Sequence, residues 1–166
     1  DLYPGQPLHF FAAIAPVLDL AFFQDSLTEA GWQPQSAPYP TYYKGDARLR
    51  IAQDAFAECL DLAEGAIATA GTATEQLVGL GKPAFTFPGQ GPQFTRTFAQ
   101  VQARLLGSSI LLTKTSQDVG LAVKTLFEDP AKLQAVRLNG QQRMGSAGGC
   151  DRIASQLREA FKSPVS

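Results

Sequence analysis

The chain has 166 residues, 45% of them hydrophobic and only 17% charged, with a formal net charge of -1 from 14 basic and 15 acidic side chains. That length suits a single domain over residues 1–166, with a core large enough to need no disulfide or structural metal. A charged share below the roughly 25% usual for soluble domains points to a face meant to be covered, and the lack of any basic cluster excludes a nucleic-acid partner.

Short apolar runs alternate with helical periodicity along the chain, the mark of a parallel sheet covered by helices. The runs predict strands at residues 8–15, 48–52, 66–70, 83–87 and 108–112, each followed by a helix. The most apolar stretch, residues 10–23, is broken by Pro16 and Asp19, well short of the ~20 residues a membrane helix needs. No signal peptide is visible. His9, the lone histidine, stands at the start of the first strand beside Phe10 and Phe11, where a structural role is the plainer reading. The Phe22-Phe23 pair is expected in the core.

Lys44-Gly45-Asp46-Ala47 predicts a tight hairpin turn between Tyr42-Tyr43 and the strand that begins at Arg48. Asp54 is placed to cap a helix whose Phe56, Cys59, Leu60 and Ala63 recur at helical spacing, with Gly65 as its left-handed exit. Cys59 and Cys150 lie far apart and outside any Cys-x-x-Cys or Cys/His cluster. Two buried thiols in a reducing cytoplasm are therefore expected, with no metal site.

In an open parallel sheet, ligands bind beyond the carboxyl ends of the strands, where loops enter helix N-termini. Two such loops stand out. The first is A-G-T-A-T-E-Q at 70–76, where Gly71 lets the backbone approach a phosphate and Thr72 and Thr74 offer hydroxyls. Thr72 with Glu75 also spells a capping box, which would turn Glu75 back onto its own helix and leave Gln76 to reach ribose hydroxyls. The second is P-G-Q-G-P-Q-F-T at 88–95, with Gln90 and Gln93 as candidate contacts to sugar hydroxyls or phosphate oxygens. Here Gly-x-Gly is followed by Pro92, so neither the dinucleotide fingerprint nor a Walker lysine is present. Gly79 and Gly81 mark a loosened helix end before Lys82-Pro83.

Pro92 fits a first helical turn, Phe94, Phe98, Val101 and Leu105 form one apolar stripe, and Gly107 ends that helix. Asp129-Pro130 opens a further helix, Gly145 to Gly149 is a turn, and Ile153, Leu157 and Phe161 stripe a last helix at about 151–162. No nucleophile and base set is recognisable, so the catalytic group is expected outside this chain.

Those loops resemble the C-terminal domain of GT-B glycosyltransferases, and most closely the lipid-A-disaccharide-synthase-related family. The resemblance runs through Ile51-Ala52-Gln53-Asp54, A-T-A-G-T-A-T-E-Q at 68–76, G-L-G-K-P-A at 79–84, P-G-Q-G-P-Q-F-T, F-A-Q-V-Q-A-R-L-L-G at 98–107 and R-M-G-S-A-G-G at 143–149. It implies a Rossmann-like α/β domain that binds a UDP-sugar as substrate, with no cofactor. The base would lie near Ile51 and Ala52, the phosphates near Gly71, Thr72, Ala73 and Thr74, and the ribose and sugar near Gln76, Gln90 and Gln93, with Gly89 and Gly91 also in the nucleotide-sugar site. The synthases read G-T-A-T-x-E, so their ribose glutamate falls on Gln76 here, which keeps hydrogen bonding and removes a charge.

The resemblance further implies an N-terminal acceptor domain supplying the catalytic base, a hexosamine-type sugar, a lipid-linked acceptor at the membrane surface and a cytoplasmic enzyme peripheral to that surface. The isolated chain is then expected to bind without turning over. The family's opening strand and Pro-Gly-Ser-Arg loop have no counterpart ahead of Leu8, so a rearranged sheet or a strand-exchanged homodimer is expected. Two other readings use the same fold. One is a UDP-sugar epimerase, and the other is a sugar-nucleotide-binding scaffold without turnover.

Overall fold

The computed structural model describes residues 7–89, 91 and 94–162. It is an α/β chain whose described strands form two separate sheets, one mixed and one parallel. The chain falls into two compact units, residues 1–64 and 65–166.

In the first unit, β1 (Leu8–Ile14) pairs in parallel with β4 (Ala47–Gln53), and β3 (Thr41–Lys44) and β2 (Gln33–Gln35) add antiparallel strands in the order β1-β4-β3-β2. The hairpin forms where the sequence placed it. Lys44 pairs with Ala47, and Gly45 takes φ +57 at the first turn position while Asp46 keeps a negative φ, the pattern of a type II′ turn. The parallel β1–β4 pair is bridged through α1 (Ala21–Glu29), whose last turn ends at Gly31 with φ +82 and whose Ala30 carbonyl accepts from Lys44 Nζ at 2.7 Å. Tyr42 of β3 and Ile51 of β4 are both buried, Tyr42 opposite Leu49 and Ile51 opposite Ala12, and Trp32 meets Phe10 edge-on at 6.4 Å.

Several expectations are corrected in this unit. Asp54 does not cap the helix α2 (Phe56–Leu62): Ala55 is the N-cap residue, no side chain caps it, and Asp54 itself takes φ +56. An aspartate tolerates that left-handed turn better than most residues, and the turn spends the residue on redirecting the chain. Helix α2 leaves through an extended Ala63, not through a left-handed Gly65. Phe22 is 75% exposed and stacks edge-on against Phe23 at 5.7 Å, so it is not a core residue.

Only one thiol is buried. Burial, helped by the neighbouring Glu58 carboxylate, pushes the Cys59 thiol up from its ordinary value, whereas Cys150 is exposed at the start of the last helix. Alkylation at pH 8 should therefore label Cys150 at least about tenfold faster than Cys59, which becomes reactive only on unfolding. Equal labelling rates in the folded chain, read by peptide mass spectrometry, would contradict the burial of Cys59.

In the second unit, β5 (Ala66–Ile67), β6 (Ala84–Thr86) and β7 (Ile110–Leu112) run parallel in that order. All three are shorter than their apolar runs. Beyond β5 the Ala68 amide still reaches the Phe85 carbonyl at 2.9 Å before the chain turns away, and residues 107–109 form a tight 3-10 turn ahead of β7. Helices α3 (Thr72–Gly79), α4 (Arg96–Leu106) and α5 (Val119–Phe127) each follow a strand, and α6 (Pro130–Met144) and α7 (Gly149–Lys162) complete the unit. Phe85 on the central strand packs with Val119, Leu126 and Val136, flanked by Phe87, Leu111 and Leu133.

Glycine works here by close approach. A Cβ on Gly65 would meet the Pro83 carbonyl at 3.0 Å, which accounts for this residue better than any helix exit. Where helix ends do need a left-handed residue, Gly107 at φ +63 and Gly145 at φ +75 supply it. Asp129 caps α6 through the Lys132 amide at 2.9 Å, with Pro130 in its first turn, as the sequence indicates.

The stripe on α4 is the main correction in this unit. Val101 and Leu105 are more than half exposed, Phe98 is also exposed, and the face turned inward carries Ala99, Gln102 and Leu106. The two faces lie roughly a quarter-turn apart at 100° per residue, so the buried one was masked by a small residue and a polar one. Helix α7 exists, yet Ile153, Leu157 and Phe161 are all exposed and none of its residues is buried.

Candidate functional site

Both loops singled out in the sequence leave the carboxyl ends of adjacent parallel strands, β5 and β6. That is where an open α/β sheet presents helix N-termini to a ligand.

At the first loop, Gly71 is the N-cap residue of α3, with φ -79 and ψ -85, and Thr72 is the first helical residue. No side chain caps this helix, so the Thr72–Glu75 capping box does not form. The chain enters the helix one residue earlier than the box requires, which puts Thr72 inside the first turn. The Gly71 carbonyl accepts from the amides of Thr74 at 3.0 Å and Glu75 at 3.2 Å. Among the described residues, the amides of Gly71, Thr72 and Ala73 have no acceptor. Unpaired first-turn amides and the positive end of the helix dipole are what an anion would meet here.

The two threonines divide in role. Thr74 is wholly buried and donates its hydroxyl to the Ala70 carbonyl at 2.6 Å, so it braces the turn from inside. Thr72 is exposed, Ala73 is half-buried and Gln76 is exposed one turn further along. A residue that sequence reasoning passed over completes the turn. Gln102 of α4, only 3% exposed, donates Nε2 to the Ala70 carbonyl at 3.0 Å and the Gly71 carbonyl at 3.2 Å. Its Oε1 and the Thr86 hydroxyl are the buried side-chain polar atoms without a hydrogen-bond partner among the described residues. The signal for Gln102 was present in the sequence only as a polar residue on the helix that carries Phe98 and Leu105, which reads as a solvated position.

The second loop is described in part. Gln90, Pro92 and Gln93 lie outside the described residues. Gly89 donates its amide to the Phe94 carbonyl at 2.9 Å, Gly91 is exposed and Phe94 is buried. Helix α4 begins later than Pro92, with Thr95 as its cap accepting from the Phe98 amide at 3.2 Å. Of this loop's glycine amides, that of Gly89 is therefore already occupied by the chain's own carbonyl.

Ile51 and Ala52 belong to the first unit, whereas the other candidate residues belong to the second. Ile51 is buried in β4 with its amide on the Pro40 carbonyl at 2.9 Å, and Ala52 is half-buried beside it. The next residue, Gln53, reaches back to the loop after β1 and donates Nε2 to the Leu18 carbonyl at 2.9 Å. A cleft of about 840 Å³ on the same sheet is lined by His9, Tyr43, Asp46 and Arg48, none of them a nucleotide-sugar contact expected from the sequence. His9 is exposed there, in register with Arg48, and its imidazole makes no hydrogen bond among the described residues.

Among the described residues there is no group of three or more His, Cys, Asp or Glu side chains able to hold a metal ion, and no helix is long and apolar enough to cross a membrane. Comparison with protein-family profiles, with curated proteins and with solved structures finds no match for this chain.

Proposed function

We propose that the chain is the donor-binding part of a GT-B glycosyltransferase resembling the lipid-A-disaccharide-synthase-related family, taking a UDP-sugar and delivering a hexosamine-type sugar to a lipid-linked acceptor. The observation that carries the reading is the α3 N-terminus, where the amides of Gly71, Thr72 and Ala73 lack acceptors among the described residues at the carboxyl end of β5.

In this reading those amides hold the diphosphate. As the glycosidic bond to the donor sugar breaks, negative charge grows on the departing UDP, and fixed dipoles aimed at it stabilise that charge with no reorganisation and no metal. Gln76, on the exposed side of the same helix, hydrogen-bonds the ribose through its amide. The acceptor hydroxyl loses its proton to a base on a separate acceptor domain, at the cytoplasmic surface of a membrane.

Titration of UDP into the chain by calorimetry tests this. Thr72→Pro removes one first-turn amide at the position where a helix tolerates proline, and Gly71 before it has no Cβ to clash with the ring. A lost hydrogen bond to a charged group predicts UDP affinity lower by about 10- to 100-fold with little change in helix content. Gln76→Ala should cost about tenfold and act on UDP but not on inorganic pyrophosphate. If UDP binds and neither substitution changes its affinity, the site lies elsewhere. A longer chain carrying the acceptor domain should transfer sugar. Interconversion of the sugar without acceptor would instead identify an epimerase, and absence of both binding and turnover would leave a scaffold.

A further inference from the structure

We propose that Gln102 is a positioning residue for the anion-binding turn, the clamp that helps the Gly71 amide face outward beside that of Thr72. The inference rests on the diphosphate reading of the α3 N-terminus and adds to it the part that shapes the turn.

The geometry follows from the peptide bond. In a trans peptide the C=O and N–H of one unit point in opposite directions, and no cis bond is present among the described residues. Gln102 Nε2 draws the Ala70 carbonyl inward at 3.0 Å and the Gly71 carbonyl inward at 3.2 Å. The amide on the far side of the first unit is that of Gly71, and of the second, that of Thr72. The Gly71 carbonyl is already held by the Thr74 and Glu75 amides at 3.0 and 3.2 Å, so on that unit Gln102 adds a third donor, whereas on the Ala70–Gly71 unit, which precedes the helix, its carboxamide helps set the direction of the Gly71 amide. Thr74 Oγ1 reinforces the latter from within, at 2.6 Å to the same Ala70 carbonyl.

A second observation points the same way. Gln102 is almost completely buried, yet its Oε1 has no partner among the described residues. Packing alone would be served better by an apolar side chain of the same length, which leaves no polar atom stranded. The stranded oxygen shares its carboxamide with the nitrogen that grips the turn, so it lies no more than about 5.5 Å from those carbonyls by covalent geometry.

The test uses the full chain, labelled with 15N, and its Gln102→Met variant, which keeps length and volume and removes both donors. Inorganic pyrophosphate, UDP and uridine are titrated separately. The expected result is that pyrophosphate and UDP shift the Gly71, Thr72 and Ala73 amides of the original chain, and that Q102M binds both at least about tenfold more weakly. Uridine affinity should be the same in both proteins, which a general loosening of the fold would not give. Should Q102M fail to fold, Gln102→Leu, an unstrained helix former with no donor, decides by the same readout. Unchanged pyrophosphate affinity in the variant overturns the role of Gln102 and leaves the nucleotide reading standing. Pyrophosphate binding that the uridine moiety does not strengthen overturns the nucleotide reading, and the variant's pyrophosphate affinity still judges Gln102. Binding of neither pyrophosphate nor UDP to the original chain overturns both.

Discussion

Phe85→Ala is expected to lower the unfolding free energy of the 65–166 unit by about 3–5 kcal/mol. Phe85 is 1% exposed at the middle of the central strand β6, and its ring is enclosed by Val119, Leu126 and Val136 from two helices. Truncation removes the transfer free energy of the ring and leaves a cavity that three separately anchored elements cannot close by moving together. A domain of this size is stable by only about 5–15 kcal/mol, so the variant should unfold at much lower urea concentration. Phe85→Leu, which keeps most of the volume, should cost less than about 1.5 kcal/mol. The measurement is urea unfolding followed by circular dichroism, and a loss below about 1 kcal/mol for the alanine variant would place the core elsewhere. Because β6 leads directly into the 88–95 loop, ligand binding should weaken in step with stability.

The second large effect has the opposite sign from its usual one. Gly140→Ala in the middle of an exposed helix would stabilise by roughly 1 kcal/mol through helix propensity. Here a Cβ at position 140 would meet the Val78 backbone carbonyl, the Ser109 hydroxyl at 3.1 Å and the Val78 side chain at 3.1 Å. A carbonyl on a neighbouring helix cannot rotate aside, so α6 must move away from α3 to make room. Overpacking of this kind costs typically about 1–3 kcal/mol, and the backbone contact puts the expected loss near 3 kcal/mol. Separation of these helices would also disturb the buried chain of hydrogen bonds from Asn139 to Ser109, at 2.7 Å, and from Ser109 to the Val136 carbonyl, at 2.7 Å. A thermal midpoint at or above that of the original chain would show that α3 and α6 are not packed at Gly140.

Much of the local structure was legible because it depends on residues close together in sequence. The Lys44–Ala47 hairpin, the Asp129-Pro130 helix start and the Gly107 and Gly145 helix ends are set by φ preference and by a side chain reaching its own backbone. The Thr72–Glu75 box obeyed the same local rule and failed, since the strand β5 delivers the chain into α3 with Gly71 already in the cap position. The α4 stripe failed for a different reason. Phe98, Val101 and Leu105 have the right spacing, but spacing cannot tell an apolar face that packs from one left uncovered, and small Ala99 with polar Gln102 concealed the buried side.

By itself the sequence determined most of the alternation of strand and helix, the turns that punctuate it and the two glycine-containing loops that follow strands, because each is decided within a few residues. Tertiary structure alone decided that the strands divide between two sheets, that Gly65 and Gly140 are glycine for want of room, and that a glutamine 31 residues beyond Gly71 grips its carbonyl. Those outcomes depend on which backbones approach each other across long stretches of chain, and pairwise distance between remote residues is not written in any local pattern.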